Sequence, residues 1–171
     1  MSAASALPSR PRVLNSKKNI AIVASLYNQE FVDAMLHAAQ LELQTIMPNS
    51  TVRVFRVPGA FEIPVTTSYV LDYTDTSVVI ALGVIFRGET EHADLVAESV
   101  TRSLQELAVS RQTPIIHEVL LLESREQAYE RTAGSRINRG VEAARAAANM
   151  IELFQKLQHA FPNPHPKIQH V

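Results

Sequence analysis

The segment Arg87–His92, RGETEH, crowds an arginine, two glutamates, a threonine and a histidine directly behind an apolar run that ends in VIF. A chain that leaves a strand at Gly88 and enters a helix near Thr90 presents the unpaired N–H groups of a helix start, which hold anions and phosphate above all. Thr90 could add a hydroxyl donor, and Glu89 suits such a site only with its carboxylate turned outward. His92 would fall in the helix's first turn, beside the anion, with the side chain best suited to proton transfer near neutrality. Read by itself, His92 is more simply a surface histidine.

A second segment, VPGAFEIP, offers recognition rather than proton transfer. Pro58-Gly59 forces a turn, and Gly59 lets backbone approach a ligand closely. Phe61 and Glu62 then set an aromatic face beside an acceptor, a pairing that suits a planar heterocycle bearing hydroxyls or amines. The plainer alternative is a turn, a core phenylalanine and a solvated glutamate. A third segment, ERTAGSRINRG, places Arg131, Arg136 and Arg139 around a break at Gly134. Arginines there suit bidentate phosphate contacts, or only a helix C-terminus that favours cations. No glycine-rich run precedes a Lys-Ser or Lys-Thr pair, and GxGxxG is absent, so neither a P-loop nor a dinucleotide site is supported. The histidines other than His92, namely His37, His117, His159, His165 and His170, lack metal-ligand spacing, so no metal is expected.

These residues need a scaffold, and the apolar pattern supplies one. Four β-branched runs stand out: IAIVAS from Ile20, TVRVFRV from Thr51, VVIALGV from Val78 and IIHEVLLL from Ile115. The first and third are nearly continuous in apolar character, as in parallel strands covered on both faces. Helical patterns lie between them. Phe31, Met35, Ala38 and Ala39 set the first, with Asn28 available as its cap. Pro64 suits the first turn of a second, poorer helix. Val96, Val100, Leu104 and Leu107 stripe the third, and Ser124 with Gln127 matches a capping box ahead of a fourth. The alanine-rich VEAARAAANMIELFQKLQ is the strongest helix former. Strict alternation predicts an α/β chain, a parallel sheet with helices on both faces, and ligands outside the carboxyl ends of its strands. RGETEH and VPGAFEIP both fall there.

At 171 residues the chain suits one domain, expected over residues 19–158, with flexible tails at 1–18 and 159–171. Apolar residues at 46% and charged residues at 19% mark a globular protein, and a net charge of −1 gives no reason to expect nucleic acid or an anionic membrane. No apolar run approaches the roughly 18 residues of a membrane span. The N-terminal stretch lacks the apolar core of a secretory signal. The absence of cysteine excludes disulfides and fits a reducing compartment, so a cytoplasmic protein is expected.

Taken in order and spacing, VPGAFEIP, ALGVIFRGETEHADLVA and EQAYER…NRGVEAARAA, spanning about Asn19 to Leu157, resemble the lumazine synthase family of riboflavin biosynthesis. The resemblance implies a flavodoxin-like three-layer αβα sandwich with a four-stranded parallel sheet. It implies an enzyme that condenses 5-amino-6-(D-ribitylamino)uracil with 3,4-dihydroxy-2-butanone 4-phosphate, giving 6,7-dimethyl-8-ribityllumazine, phosphate and water without a cofactor. By motif, Tyr27 stands where a phenylalanine usually stacks on the pyrimidine, followed by Asn28. Gly59, Ala60, Phe61 and Glu62 would line the ribityl site, and Val84, Ile85 and Phe86 would border the ring. Gly88, Glu89 and Thr90 would hold the phosphate, with Arg131 pairing to it. His92 matches the proton-transfer histidine, and Arg139 stands where lysine is common.

The chain departs from the family's usual PVxFGVLTT, reading PIIHEVLLLES. His117 replaces an aromatic that covers the pyrimidine, Glu118 a glycine, and Leu121 and Leu122 a threonine pair. The resemblance further implies a homo-oligomer whose sites form between neighbouring subunits, the alanine-rich helix burying part of its surface there. Ile137, in place of a glycine, with Pro8 and Pro11, favours a pentamer over a sixty-subunit shell. The rival reading is a non-catalytic flavin-binding or shell-forming relative.

Overall fold

A computed structural model describes residues 9–88 and 90–162. Glu89, Pro8 and His165 and His170 of the C-terminal tail lie outside the described residues. The strands are β1 (Asn19–Ser25), β2 (Thr51–Val57), β3 (Val78–Phe86) and β4 (Ile115–Leu122). The helices are α1 (Gln29–Ile46), α2 (Ile63–Tyr73), α3 (His92–Arg111), α4 (Arg125–Thr132) and α5 (Arg139–Ala160), with one 3-10 turn at Ala60–Glu62 before α2.

The sheet is parallel throughout, in the order β2-β1-β3-β4. The two runs of nearly continuous apolar character, β1 and β3, are the two central strands, buried on both faces. β2 and β4 form the edges and are only partly covered. Side chains alternate across the sheet. Ile20, Ile22, Ala24, Ile80, Leu82 and Val84 pack beneath α1, α4 and α5, while Ala21, Val23, Val79, Ala81 and Val119 pack beneath α2 and α3. The result is the expected three-layer αβα sandwich.

The alanines of α5 are spent inside the chain. Ala143, Ala144, Ala147 and Ala148 are fully buried, and at Gly140 the helix meets α1 so closely that an added Cβ would stand 2.1 Å from the carbonyl oxygen of Met35. Small side chains along one stripe allow that approach. The large apolar residues of α5 left exposed are Leu153 and Leu157.

The described part of the expected N-terminal tail lies against this same pair of helices. Leu14 is buried and donates its N–H to the carbonyl of Ile46 at 2.8 Å. Arg10 forks onto both carboxylate oxygens of Glu42 at 2.8 Å, and Arg145 of α5 donates to one of them at 2.8 Å. Burial works against the charge on Glu42, yet the hydrogen bonds from Arg10 and Arg145 hold its carboxyl below the ordinary range. At the other end, α5 continues to Ala160, past the expected boundary at 158.

Candidate active site

The chain passes from β1 to β2 on one side and returns to β3 on the other, which opens a crevice between the carboxyl ends of β1 and β3. Three loops build its walls. Leu26 and Tyr27, just after β1, donate their N–H groups to Val57 and Pro58 at 2.8 and 3.1 Å, zipping the first loop to the second. Asn28 closes the floor. Its backbone is left-handed (φ 55°), and its side chain does not cap α1, as the sequence led one to expect. The amide instead donates to the carbonyl of Val84 at 2.7 Å and ties the β1 loop to the end of β3.

VPGAFEIP forms the second wall. The Glu62 carboxylate turns back to accept the N–H of Gly59 at 2.9 Å, which fixes the turn and leaves its other oxygen for an outside donor. A Cβ at Gly59 would stand 3.0 Å from Glu62 Oε2 and 3.4 Å from the Tyr27 ring, so the glycine keeps these two groups together. Tyr27 is 72% exposed and Phe61 60%, while Ala60 is buried beneath them. Two aromatic faces thus look into solvent beside a positioned carboxylate, an arrangement suited to a flat polar ring.

β3 supplies the third wall. Val84 and Phe86 turn toward the α1 layer, where Phe86 meets Phe31 edge-on at 5.7 Å, and Ile85 turns toward α2 and α3. The chain then opens at Gly88, where a Cβ would meet nothing within 4 Å. Thr90 is exposed, and Glu91 rather than Thr90 precedes the helix. Glu91 gives no side-chain cap to the first N–H groups of α3, and exposed His92 is the helix's first residue.

Arg87, which the sequence reading left without a role, fastens this region. Its guanidinium grips both carboxylate oxygens of Asp94 in α3 at 2.7 and 3.2 Å and also pairs with Glu123 beyond β4. The arginine of RGETEH is thereby engaged by two carboxylates and braces the end of β3 to α3 and to the segment after β4. The pattern of an arginine seven residues before an aspartate on a helix's first turn is the only signal the sequence held for it.

The remaining predicted residues gather elsewhere. His117 lies opposite Ala81, three positions below the level of Val84, and its Nε2 is 3.0 Å from Thr101 Oγ1 of α3. Burial lowers its tendency to protonate. Arg131 stands in the last turn of α4 and Arg139 at the start of α5, both in the helical layer opposite α3. Within one chain, then, Tyr27, Asn28, Gly59 to Glu62, Val84 to Phe86, Gly88, Thr90 and His92 lie at or just beyond the carboxyl ends of β1, β2 and β3. His117, Arg131 and Arg139 belong to β4 and the segments after it.

The profile of the 6,7-dimethyl-8-ribityllumazine synthase family matches residues 17–155. The chain belongs to this family. Among relatives bearing the same name, the protein of Agrobacterium fabrum is 40% identical over 147 residues, covering 83% of this chain and 98% of its own. That of Halorhodospira halophila is 34% identical over 139 residues, covering 81% and 89%. The 6,7-dimethyl-8-ribityllumazine synthase 1 of Rhizobium meliloti is 38% identical over 144 residues, covering 81% and 93%. The match runs through all four strands and includes both VPGAFEIP and RGETEH.

Proposed function

We infer that this chain condenses 5-amino-6-(D-ribitylamino)uracil with 3,4-dihydroxy-2-butanone 4-phosphate, forming 6,7-dimethyl-8-ribityllumazine and releasing phosphate and water. The observation that carries the reading is the family match over residues 17–155, which includes every wall of the crevice. Tyr27 stacks on the pyrimidine and Phe61 shields its flank. The free oxygen of Glu62 accepts from ribityl hydroxyls. Backbone from Gly88 through Thr90 and the uncapped start of α3 hold the phosphate, and Arg131 neutralises it.

The amine attacks the ketone, water leaves as the Schiff base forms, phosphate is eliminated, and ring closure expels water again. Protons move at each stage, and His92 beside the phosphate is placed to carry them. Alignment of the two substrates in one crevice supplies much of the remaining acceleration.

Because Arg131, Arg139 and His117 stand apart from the crevice of their own chain, we assign them to the crevice of an adjacent copy in a homo-oligomer. Phe61, Val65, Tyr69 and Tyr73 form an exposed row at four-residue spacing along the 3-10 turn and α2, with Tyr69 stacked on Tyr73 at 4.4 Å. An apolar row of that length continuous with the site fits burial against another copy. A pentamer is the assembly we favour, and a chain without cysteine suits the cytoplasm in which we place it. Mixing the protein with both substrates should generate lumazine fluorescence. Silence with both substrates, together with tight riboflavin binding, would replace the enzyme with a flavin-binding module.

A further inference from the structure

Charge on an edge strand usually serves to keep other strands away. Arg56 of edge strand β2 is instead engaged from two sides, and its side chain is only 26% exposed. Its Nη1 donates to the Asp33 carboxylate of α1 at 2.6 Å, and its Nη2 donates to the carbonyl of Ser25 at 3.2 Å. The other oxygen of Asp33 accepts from the Gln29 side chain at 3.1 Å. Ser25 is the last residue of β1 and Gln29 the first of α1. One guanidinium therefore reaches both residues that bound the segment Leu26-Tyr27-Asn28, the second of them through a carboxylate.

That segment has a reason to be held. Asn28 is left-handed (φ 55°) without being glycine, a conformation that persists where its surroundings over-determine it. The Asn28 amide ties the segment to Val84, and the N–H groups of Leu26 and Tyr27 tie it to Val57 and Pro58. Those contacts hold the middle of the turn, and Arg56 holds its two ends. The Tyr27 ring rises from the middle, 72% exposed and close to Gly59, where an added Cβ would stand 3.4 Å from it. A ring so exposed takes its position from the backbone that carries it.

We propose that Arg56 is a positioning residue for the ring-bearing substrate: by joining the end of β1 to α1, it sets where Tyr27 meets the pyrimidine. The planar fork matters here, because its two outer nitrogens serve two acceptors in fixed directions, which a single ammonium does not reproduce. The proposal rests on the reading that Tyr27 stacks on the pyrimidine. The phosphate-bearing substrate, assigned to the start of α3, lies outside this bracket.

The test compares the parent protein with Arg56→Met, which keeps an apolar stem and removes every donor, and with Arg56→Lys. In Arg56→Met, KM for 5-amino-6-(D-ribitylamino)uracil should rise roughly three- to tenfold, with kcat and KM for dihydroxybutanone phosphate each changing less than about twofold. Arg56→Lys should fall between parent and Arg56→Met, and it decides the matter if Arg56→Met fails to fold. Equal changes in both KM values would mark a general loss of structure and overturn the proposal. A double-mutant cycle with Tyr27→Ala separates the two roles further. Without the Tyr27 ring, Arg56→Met should add less than about a twofold effect, and an undiminished effect there sinks the proposal. Calorimetric binding of 5-amino-6-(D-ribitylamino)uracil alone gives a reading independent of turnover, and Kd should weaken by the same factor as KM. A parent protein that binds this pyrimidine with that dependence on Arg56 but forms no lumazine supports the positioning role and overturns the condensation reading instead.

Discussion

His92 occupies the first position of α3, exposed and next to backbone whose N–H groups have no side-chain cap. A group so placed can serve proton transfers without supporting the fold. His92→Ala is accordingly expected to lower kcat about ten- to a hundredfold while leaving the circular dichroism spectrum and Tm unchanged. Full turnover in that variant would remove His92 from the mechanism. Its helix-start location was legible from GET preceding an apolar stripe. Neighbouring Arg87 was barely legible, because only Asp94 lies near it in the chain and its other partner, Glu123, comes 36 positions later in the segment after β4. The same limit applied to Asn28. Residue type marked it as a cap, but the carbonyl of Val84, 56 positions away, claims its amide at 2.7 Å. Long-range polar pairings of this kind override local preference and leave no trace in sequence spacing.

Between elements, the decisive contact is the approach of α5 to α1. At Gly140 the two backbones meet with no room for a side chain, since an added Cβ would lie 2.1 Å from Met35 oxygen. Gly140→Ala should therefore destabilise the protein by about 3 kcal/mol, seen as a clear fall in Tm. Gly88→Ala, whose Cβ would meet nothing within 4 Å, provides the contrast and should change stability by less than about 0.5 kcal/mol. Equal effects at the two glycines would deny the packing argument. The strands themselves were readable because burial imposes its own pattern. Covered β1 and β3 read as continuous apolar runs, and edge strand β2 carries Arg53 and Arg56 among its apolar residues. The beginning of α3 falls later than Thr90 because Glu91 is the residue that precedes the helix. Two acceptable starts two residues apart cannot be separated by propensity alone. The alanines of α5 were legible as helix formers, while the surface they cover depends on α1, which propensity does not register.

At the scale of the molecule, the residues proposed for the site fall in two places on one chain: at the ends of β1, β2 and β3, and on β4 and the segments after it. The exposed row from Phe61 to Tyr73 adds a large apolar surface to a single chain. Light scattering coupled to size exclusion should give a mass about five times the 18.9 kDa of the chain. A monomer at working concentration would contradict a shared site, and a particle near a megadalton would replace the pentamer with a shell.

The separation of His92 from Arg131 onto opposite helical layers has a genetic consequence. In the shared site proposed above, a chain damaged at His92 would still offer a sound Arg131 to its neighbour, and a chain damaged at Arg131 would still offer a sound His92. Co-expressing His92→Ala with Arg131→Ala should therefore raise activity above that of either variant alone, because roughly a quarter of the junctions in a random mixture would join two undamaged halves. Two lesions in one gene would then behave as though they lay in two.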